Sequence, residues 1–191
     1  MRNIEDIKEE LKSILSQKRY EHSIGAMEKA IELAEIFGED REKAAYTALV
    51  HDIAKEMTTE EYYKYARENN IEIEEIDKIE TIALHGKIGA DIVKKKYNFT
   101  DEMCNAIYYH TTGRANMTLL DKIIYIADKI EENRKYPEAD ELRKAFEKSK
   151  SLDEFILYDI DYYTIPKMIE KKRIIHQNSI YARNDIISKL K

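Results

Sequence analysis

Apolar positions recur at helical spacing along almost the whole chain. Ile4, Ile7, Leu11 and Ile14 follow one another at intervals of three and four, and Ile24, Met27, Ile31 and Ala34 repeat the stripe. Gly38 stands where a helix stop is expected. Residues 44–54 are apolar nearly all round, the pattern of a buried central helix. Thr58-Thr59-Glu60-Glu61 supplies an N-cap, Thr58 or Thr59, and an acidic first turn. Further helices are predicted over residues 86–97, 101–110, 117–131 and 138–149. Residues 71–79 show no clear period, Thr111-Thr112-Gly113 breaks the chain, and Pro137 marks a turn. The tail from Leu152 reads as helical, with a kink or break at Pro166 and a last helix capped by Asn178 or Ser179. The expected fold is all-α: a compact multi-helix bundle, orthogonally packed around one buried helix. Residues 1–191 are expected to form one domain, with 137–191 as C-terminal helices.

Composition agrees and narrows the class. The 191 residues include 5 Gly and 2 Pro, against about 13 and 10 at average usage, which argues against a turn-rich sandwich or barrel. Charged residues make up 37% and the net charge is −6. An acidic chain is a poor general nucleic-acid binder, because that task needs a basic surface. A small anionic substrate remains compatible if bound cations supply positive charge. Cys104 is the one cysteine, so an internal disulfide and a multi-cysteine zinc site are excluded. The sequence shows neither a signal-peptide pattern nor an apolar run of about 18 residues. The expectation is a cytoplasmic protein with no membrane partner; a homodimer is left open.

The chemistry concentrates in histidines and aspartates on apolar stripes. His51-Asp52 lies inside Ala-Leu-Val-His-Asp-Ile-Ala, His110 continues Met103 and Ala106/Ile107, and Asp128 continues Leu120 and Ile124. A buried carboxylate costs on the order of several kcal/mol unless it is paired or metal-bound. Each residue alone reads as a hydrogen-bonded core histidine or an ion-paired aspartate. Together they suggest a metal cage, and nitrogen and oxygen donors without thiolate suit iron, manganese, zinc or a similar metal. Adjacent helical residues diverge by about 100°, so His51 and Asp52 share such a cage only where their helix ends or distorts.

The order His22, His51-Asp52, His85, His110, Asp128 resembles the HD-domain metal phosphohydrolase superfamily. More narrowly, the chain resembles the YqeK-type family of bacterial symmetrical bis(5′-nucleosyl)-tetraphosphatases. The matching stretches are Arg19-Tyr20-Glu21-His22-Ser23, His51-Asp52-Ile53-Ala54-Lys55-Glu56, Leu84-His85-Gly86, His110-Thr111-Thr112-Gly113 and Ala127-Asp128-Lys129-Ile130-Glu131, with Asn133-Arg134 following. They cover residues 19–136, and Ala182-Arg183-Asn184 matches more loosely. Glu132 departs from the pattern, which often has proline before Asn-Arg, and this bears on the geometry of that loop.

The resemblance implies two divalent metal ions, iron ahead of manganese or another metal. His22, His51, Asp52 and Asp128 would hold one, and His85 and His110 the other, with Asp52 bridging. It implies hydrolysis of a dinucleoside polyphosphate, diadenosine tetraphosphate to two ADP, by metal-activated water, with Asp52 and Lys55 as catalytic residues. Lys55, Thr111, Thr112, the Gly113 backbone and Arg134 would contact phosphate. Their plainer readings are a solvated helix end for Lys55, a helix C-terminal turn for 111–113 and an ion pair with Glu131 for Arg134. Another HD-type nucleotide phosphohydrolase, a di-iron oxygenase and a non-catalytic nucleotide sensor are the alternatives. His176 is assigned to surface or packing. The doublets Tyr62-Tyr63, Tyr108-Tyr109 and Tyr162-Tyr163 read mostly as helix-packing pairs; any of them could stack on a base, and the sequence does not choose among them.

Overall fold

Side-chain caps fix where most helices begin. In the computed structural model, which describes residues 2–190, Asn3 caps α1 (Ile4–Ile14), Ser16 caps α2 (Gln17–Phe37) and Asp40 caps α3 (Arg41–Val50). Thr58 and Glu61 close a reciprocal capping box at the start of α4 (Thr59–Glu68). Each cap satisfies an N–H that the first helical turn leaves without an internal partner. Gly38 ends α2 at φ 82°, a left-handed conformation that glycine adopts without steric strain.

The aperiodic stretch 71–79 yields the short α5 (Glu75–Ile79), followed by a 3-10 turn, Thr81–Ala83, and α6 (Leu84–Tyr97). After α7 (Asp101–Tyr109) come α8 (Leu119–Ile130), α9 (Pro137–Lys148) and α10 (Leu152–Tyr158). A π-helical stretch, Asp159–Thr164, leads into α11 (Ile165–Glu170), and α12 (Gln177–Leu190) completes the described chain. Among the described residues there is no strand, and no helix is long and apolar enough to cross a membrane.

The centre of the bundle differs in one respect from expectation. Residues 44–50 are buried on every side, as the pattern predicts, but their helix stops at Val50. The element packed against α2, α3, α7, α9 and α10 is α8, whose Ile123, Ile124, Tyr125 and Ile126 are buried. The helix richest in neighbours is therefore the one carrying Asp128.

Two expectations for the tail are corrected. Of the kink or break expected at Pro166, the break does not occur: α10, the π-helical stretch and α11 run on, with Pro166 in the first turn of α11. The widened turn ahead of it accommodates a residue that has no N–H to give. The chain leaves the helix instead near Lys172, at φ 51°. Neither Asn178 nor Ser179 caps α12, which already includes Gln177. The Ser179 hydroxyl donates 2.9 Å to the Thr112 carbonyl and ties α12 to the end of α7.

The π-helical stretch is clamped to α8 by a buried carboxylate. Asp159 is fully buried and accepts from the Tyr125 hydroxyl at 2.5 Å and the Thr164 hydroxyl at 3.0 Å, with Lys129 Nζ at 3.3 Å. All three donors meet the same carboxylate oxygen, and a hydrogen bond to a charged group typically contributes about 1.5–3 kcal/mol. Tyr125→Phe is therefore expected to lower unfolding stability by that amount. Urea denaturation measures it, and a midpoint equal to that of the wild type would contradict the clamp.

Candidate metal centre

Five elements bring the six motif residues to one place. His22 lies on α2, His51 and Asp52 directly follow α3, and His85 is in the first turn of α6. His110 directly follows α7, and Asp128 is near the end of α8. The condition set by the adjacent pair is met: α3 ends at Val50 and the chain continues in turns through Glu56, so both side chains turn inward.

The donor atoms form two groups that share one residue, His22/His51/Asp52/Asp128 and Asp52/His85/His110. In the first, His22 Nε2 lies 3.0 Å from Asp128 Oδ1 and 3.6 Å from Asp52 Oδ2, and His51 Nε2 lies 3.4 and 3.5 Å from the same two oxygens. In the second, His85 and His110 Nε2 lie 3.2 and 3.5 Å from Asp52 Oδ1. Each oxygen of Asp52 thus faces its own set of imidazoles. Asp52 is 2% exposed, and its Oδ1 is buried without a hydrogen-bond partner. A converging shell of nitrogen and oxygen donors around an unpartnered carboxylate oxygen fits a divalent cation.

The outer ring nitrogens fix which lone pairs point inward. His51 Nδ1 lies 2.6 Å from the Ala48 carbonyl and His110 Nδ1 2.7 Å from the Ile107 carbonyl. A carbonyl can only accept, so Nδ1 carries the proton and Nε2 offers its lone pair. Both carbonyls belong to last helical turns, so the rings also cap the helices that hold them. His22 Nδ1 has a carboxylate in the same place, Glu131 Oε1 at 3.0 Å. Glu131 is fully buried and also accepts from the Asn133 N–H. It fits against α2 because residue 25 is glycine: a Cβ there would collide with the Glu131 carboxylate and come within 2.8 Å of the Asn133 amide. At Gly86, beside His85, a Cβ would lie 2.7 Å from the Tyr108 carbonyl, so glycine sets the approach of α6 to α7.

Electrostatics favour ionised carboxylates at Asp52 and Asp128 and neutral rings at His51 and His85. Burial alone would raise the Asp52 carboxyl, but His51, His110 and His85 outweigh it and hold it well below the usual range. Asp128 shows the same balance, with Arg134 first among the groups opposing burial, then His22 and His51. Burial lowers His51 and pushes His85 down to about 4, which keeps the His85 ring in its neutral, metal-binding form. His22 alone is raised, because its bonds to Asp128 and Glu131 outweigh burial.

Three cations border the cluster. Lys55 Nζ lies 3.1 Å from His85 Nε2, and burial lowers its pKa. Arg134 pairs with Asp128 Oδ1 at 2.5 Å, not with the Glu131 side chain as the plainer reading has it. Arg19 pairs with Asp52 Oδ2 at 2.6 Å. Arg19 and Glu131 were not singled out for these roles by sequence reasoning. Their signal was spacing: Arg19 precedes His22 by three residues and Glu131 follows Asp128 by three, one helical turn in each case.

The 111–113 segment divides. The Thr111 hydroxyl lies 3.3 and 3.2 Å from His85 and His110 Nε2, at the second donor group. Thr112 and Gly113, expected to offer donors to phosphate, direct them within the chain. The buried Thr112 hydroxyl donates to the Gly113 carbonyl at 2.9 Å, and the Gly113 N–H donates to the Tyr109 carbonyl at 2.7 Å. The Gly113 N–H closes the end of α7, and the Thr112 hydroxyl is taken within the turn that follows it. Glu132 leaves the loop after α8 intact: it is exposed, its carboxylate meets Lys29 at 3.3 Å, and the Asn133 amide donates to the Glu21 carbonyl at 2.8 Å. His176 is half-buried and accepts from the Asn178 N–H at 3.2 Å, away from the cluster.

The HD-domain family model matches residues 19–133, the span from Arg19 to the loop after α8. A Bacillus subtilis protein named bis(5′-nucleosyl)-tetraphosphatase, symmetrical, is 36% identical over 179 residues, covering 93% of this chain and 94% of its own. The Staphylococcus aureus protein of the same name is 36% identical over 183 residues, covering 95% and 93%. A crystal structure from Clostridium acetobutylicum, described as a predicted HD superfamily hydrolase involved in NAD metabolism, is 41% identical. It superimposes with a TM-score of 0.92 over 99% of both chains.

Loss of an outer partner to a metal-bound imidazole typically weakens the metal by about 10–100-fold. Glu131→Ala is expected to lower divalent-metal affinity by that factor while the helical content stays unchanged. Competition with a chelator of known affinity measures it, and wild-type affinity in the variant would show that Glu131 does not orient His22.

Proposed function

Because the chain belongs to the HD-domain family and, within it, to the symmetrical bis(5′-nucleosyl)-tetraphosphatases, we propose that it hydrolyses diadenosine tetraphosphate to two ADP at the His/Asp cluster. The observation that carries this reading is Asp52, whose two oxygens face two separate imidazole sets. In the proposed assignment His22, His51, Asp52 and Asp128 hold one divalent ion, and Asp52, His85 and His110 hold a second. Iron is the first candidate, because imidazole and carboxylate suit it, and manganese is the next. Two such ions, when bound, activate water and offset charge on the phosphoryl oxygens.

The protein's own residues do the rest. The second group draws fewer donors from the chain than the first, which leaves room for phosphate and water beside Thr111. The Thr111 hydroxyl can donate to a phosphate oxygen there, and Lys55 supplies a cation on the same side. Arg19 and Arg134 each hold a carboxylate of the first group. When those carboxylates turn to a cation, the guanidiniums become available to phosphate oxygens, which they bind in a forked geometry. Which anhydride is cut is then a matter of register: moving the chain of phosphates by one would give ATP and AMP.

The test is chromatography of early products from diadenosine tetraphosphate in oxygen-18 water with metal-loaded protein. ADP alone, one label entering per cleavage, is the expected result. ATP with AMP would remove the symmetrical assignment, and no cleavage at full loading would remove the substrate.

The metal assignment makes its own prediction. His110→Ala is expected to lose one of two bound metals and keep its fold, whereas Asp52→Asn loses metal from both groups and all turnover. Lys55→Ala, which removes one source of charge stabilisation, is expected to reduce kcat by about 10²–10³. Elemental analysis and steady-state rates measure these outcomes. One metal in wild type, unchanged in His110→Ala, would exclude the dinuclear reading.

A further inference from the structure

A cavity of about 520 Å³ opens directly beside Asp128. Its walls include Lys129 and Arg134 from the end of α8 and the loop beyond it, Tyr136, and Tyr163 and Lys167 from the π-helical stretch and α11. That volume lies within the usual range of about 300–1,000 Å³ for small-molecule sites. Its lining is cationic and aromatic together: Lys167 Nζ stands 4.6 Å from the Tyr163 ring centre and Arg134 5.7 Å from that of Tyr136. Two of the cations already meet a carboxylate, Arg134 with Asp128 and Lys129 with Asp159. Lys167 has no ion pair among the described residues; its amine donates 2.8 Å to the Tyr163 hydroxyl.

The geometry points to this cavity as the seat of one nucleoside arm of the substrate, with Tyr163 as the platform for the base and Lys167 as the cation beside it. The inference rests on the dinucleotide reading proposed above and adds residues outside the matched 19–133 span. A substrate with a base at each end of four phosphates needs a ring-binding site within reach of the metal cluster, and Asp128 belongs to both the cluster and the cavity. Of the tyrosine doublets, 162–163 alone contributes a ring there. Tyr162 is 73% exposed and pairs with Tyr158, Tyr63 faces a separate apolar cavity, and Tyr108 lies against Lys87. The platform is also held. Asp159, clamped to Tyr125, Thr164 and Lys129, anchors the π-helical stretch that carries Tyr163, and widened turns of this kind recur at functional sites. Glu138, in the same wall, is an acceptor suited to sugar hydroxyls.

Base–aromatic stacking lost on alanine substitution corresponds to about 10- to 100-fold in binding. Tyr163→Ala is therefore expected to raise KM for diadenosine tetraphosphate by that factor with little change in kcat, and Tyr163→Phe to keep the wild-type KM. Calorimetry of the metal-loaded proteins supplies a readout independent of turnover. ADP should bind Tyr163→Ala about 10- to 100-fold more weakly, while pyrophosphate, which has no base, binds as it does to wild type. Lys167→Glu, at a half-buried position, is a second variant in case the first folds poorly, and should weaken ADP at least tenfold. If wild type cuts the dinucleotide but Tyr163→Ala and Lys167→Glu keep wild-type KM and ADP affinity, the cavity assignment falls and the cleavage reading stands. Equal weakening of ADP and pyrophosphate in Tyr163→Ala would also overturn the base platform. If wild type does not cut the dinucleotide, the cleavage reading falls, and ADP affinity in the two variants still decides the cavity.

Discussion

A carboxylate enclosed by protein, with imidazoles facing each of its oxygens, is the constraint around which the bundle is arranged. Against its burial, His51, His110 and His85 hold the Asp52 carboxyl well below the usual range, and Arg19 reaches one of its oxygens. Those groups come from α2, the ends of α3 and α7, and the start of α6, so the helices must converge at one depth and in one rotation. Small residues permit that convergence: Gly86 lets α6 approach the carbonyls of α7, and Gly25 lets the Glu131 carboxylate lie against α2. A side chain at either place would displace a candidate ligand before it disturbed the hydrophobic core.

The local excess of positive charge also reconciles an acidic protein with an anionic substrate. The net charge of −6 is spread over the molecule, whereas Arg19, Lys55 and Arg134 lie at the cluster and Lys129 and Lys167 line the cavity beside it. At physiological ionic strength, charges more than about 8 Å apart across solvent are largely screened, so the cations near the site matter more to a phosphate than the distant carboxylates do.

How much of this was legible in the sequence depended on distance along the chain. His51, Asp52, His110 and Asp128 stood out as candidates because ionisable residues on apolar helical stripes are costly and therefore informative, whereas His22 and His85 came with the resemblance to the HD pattern. The all-α class followed from periodicity; that the helix over 44–54 must end or distort at His51-Asp52 followed from requiring both to face one place, but its stop at Val50 did not. Arg19 and Glu131 were harder, since a charged residue one turn from a ligand resembles any other solvated side chain until its partner is located. Thr112 and Gly113 were ambiguous because the same hydroxyl and N–H can serve a ligand or the local backbone; here the N–H closes α7 and the hydroxyl meets the Gly113 carbonyl. The helix taken as central was α3, because all-round apolarity marks burial but not the number of neighbours. Tyr163 was one of several equivalent tyrosines, because its position opposite Asp128 depends on the packing of the tail against α8.

The double duty of His51 and His110 has a thermodynamic consequence. Each ring donates Nδ1–H to the carbonyl three residues before it and thereby closes its own helix. A cation that draws electron density from Nε2 makes Nδ1–H a stronger donor, so occupancy tightens the last turns of α3 and α7. By reciprocity, fraying of either helix end unseats a ligand and weakens the ion. Amide hydrogens in those two turns would then exchange with solvent at rates set by metal concentration, although none of them belongs to a coordinating group. With a cation at the cluster, the helix ends and the candidate metal centre would form one cooperative unit, in which local order is itself a measure of occupancy.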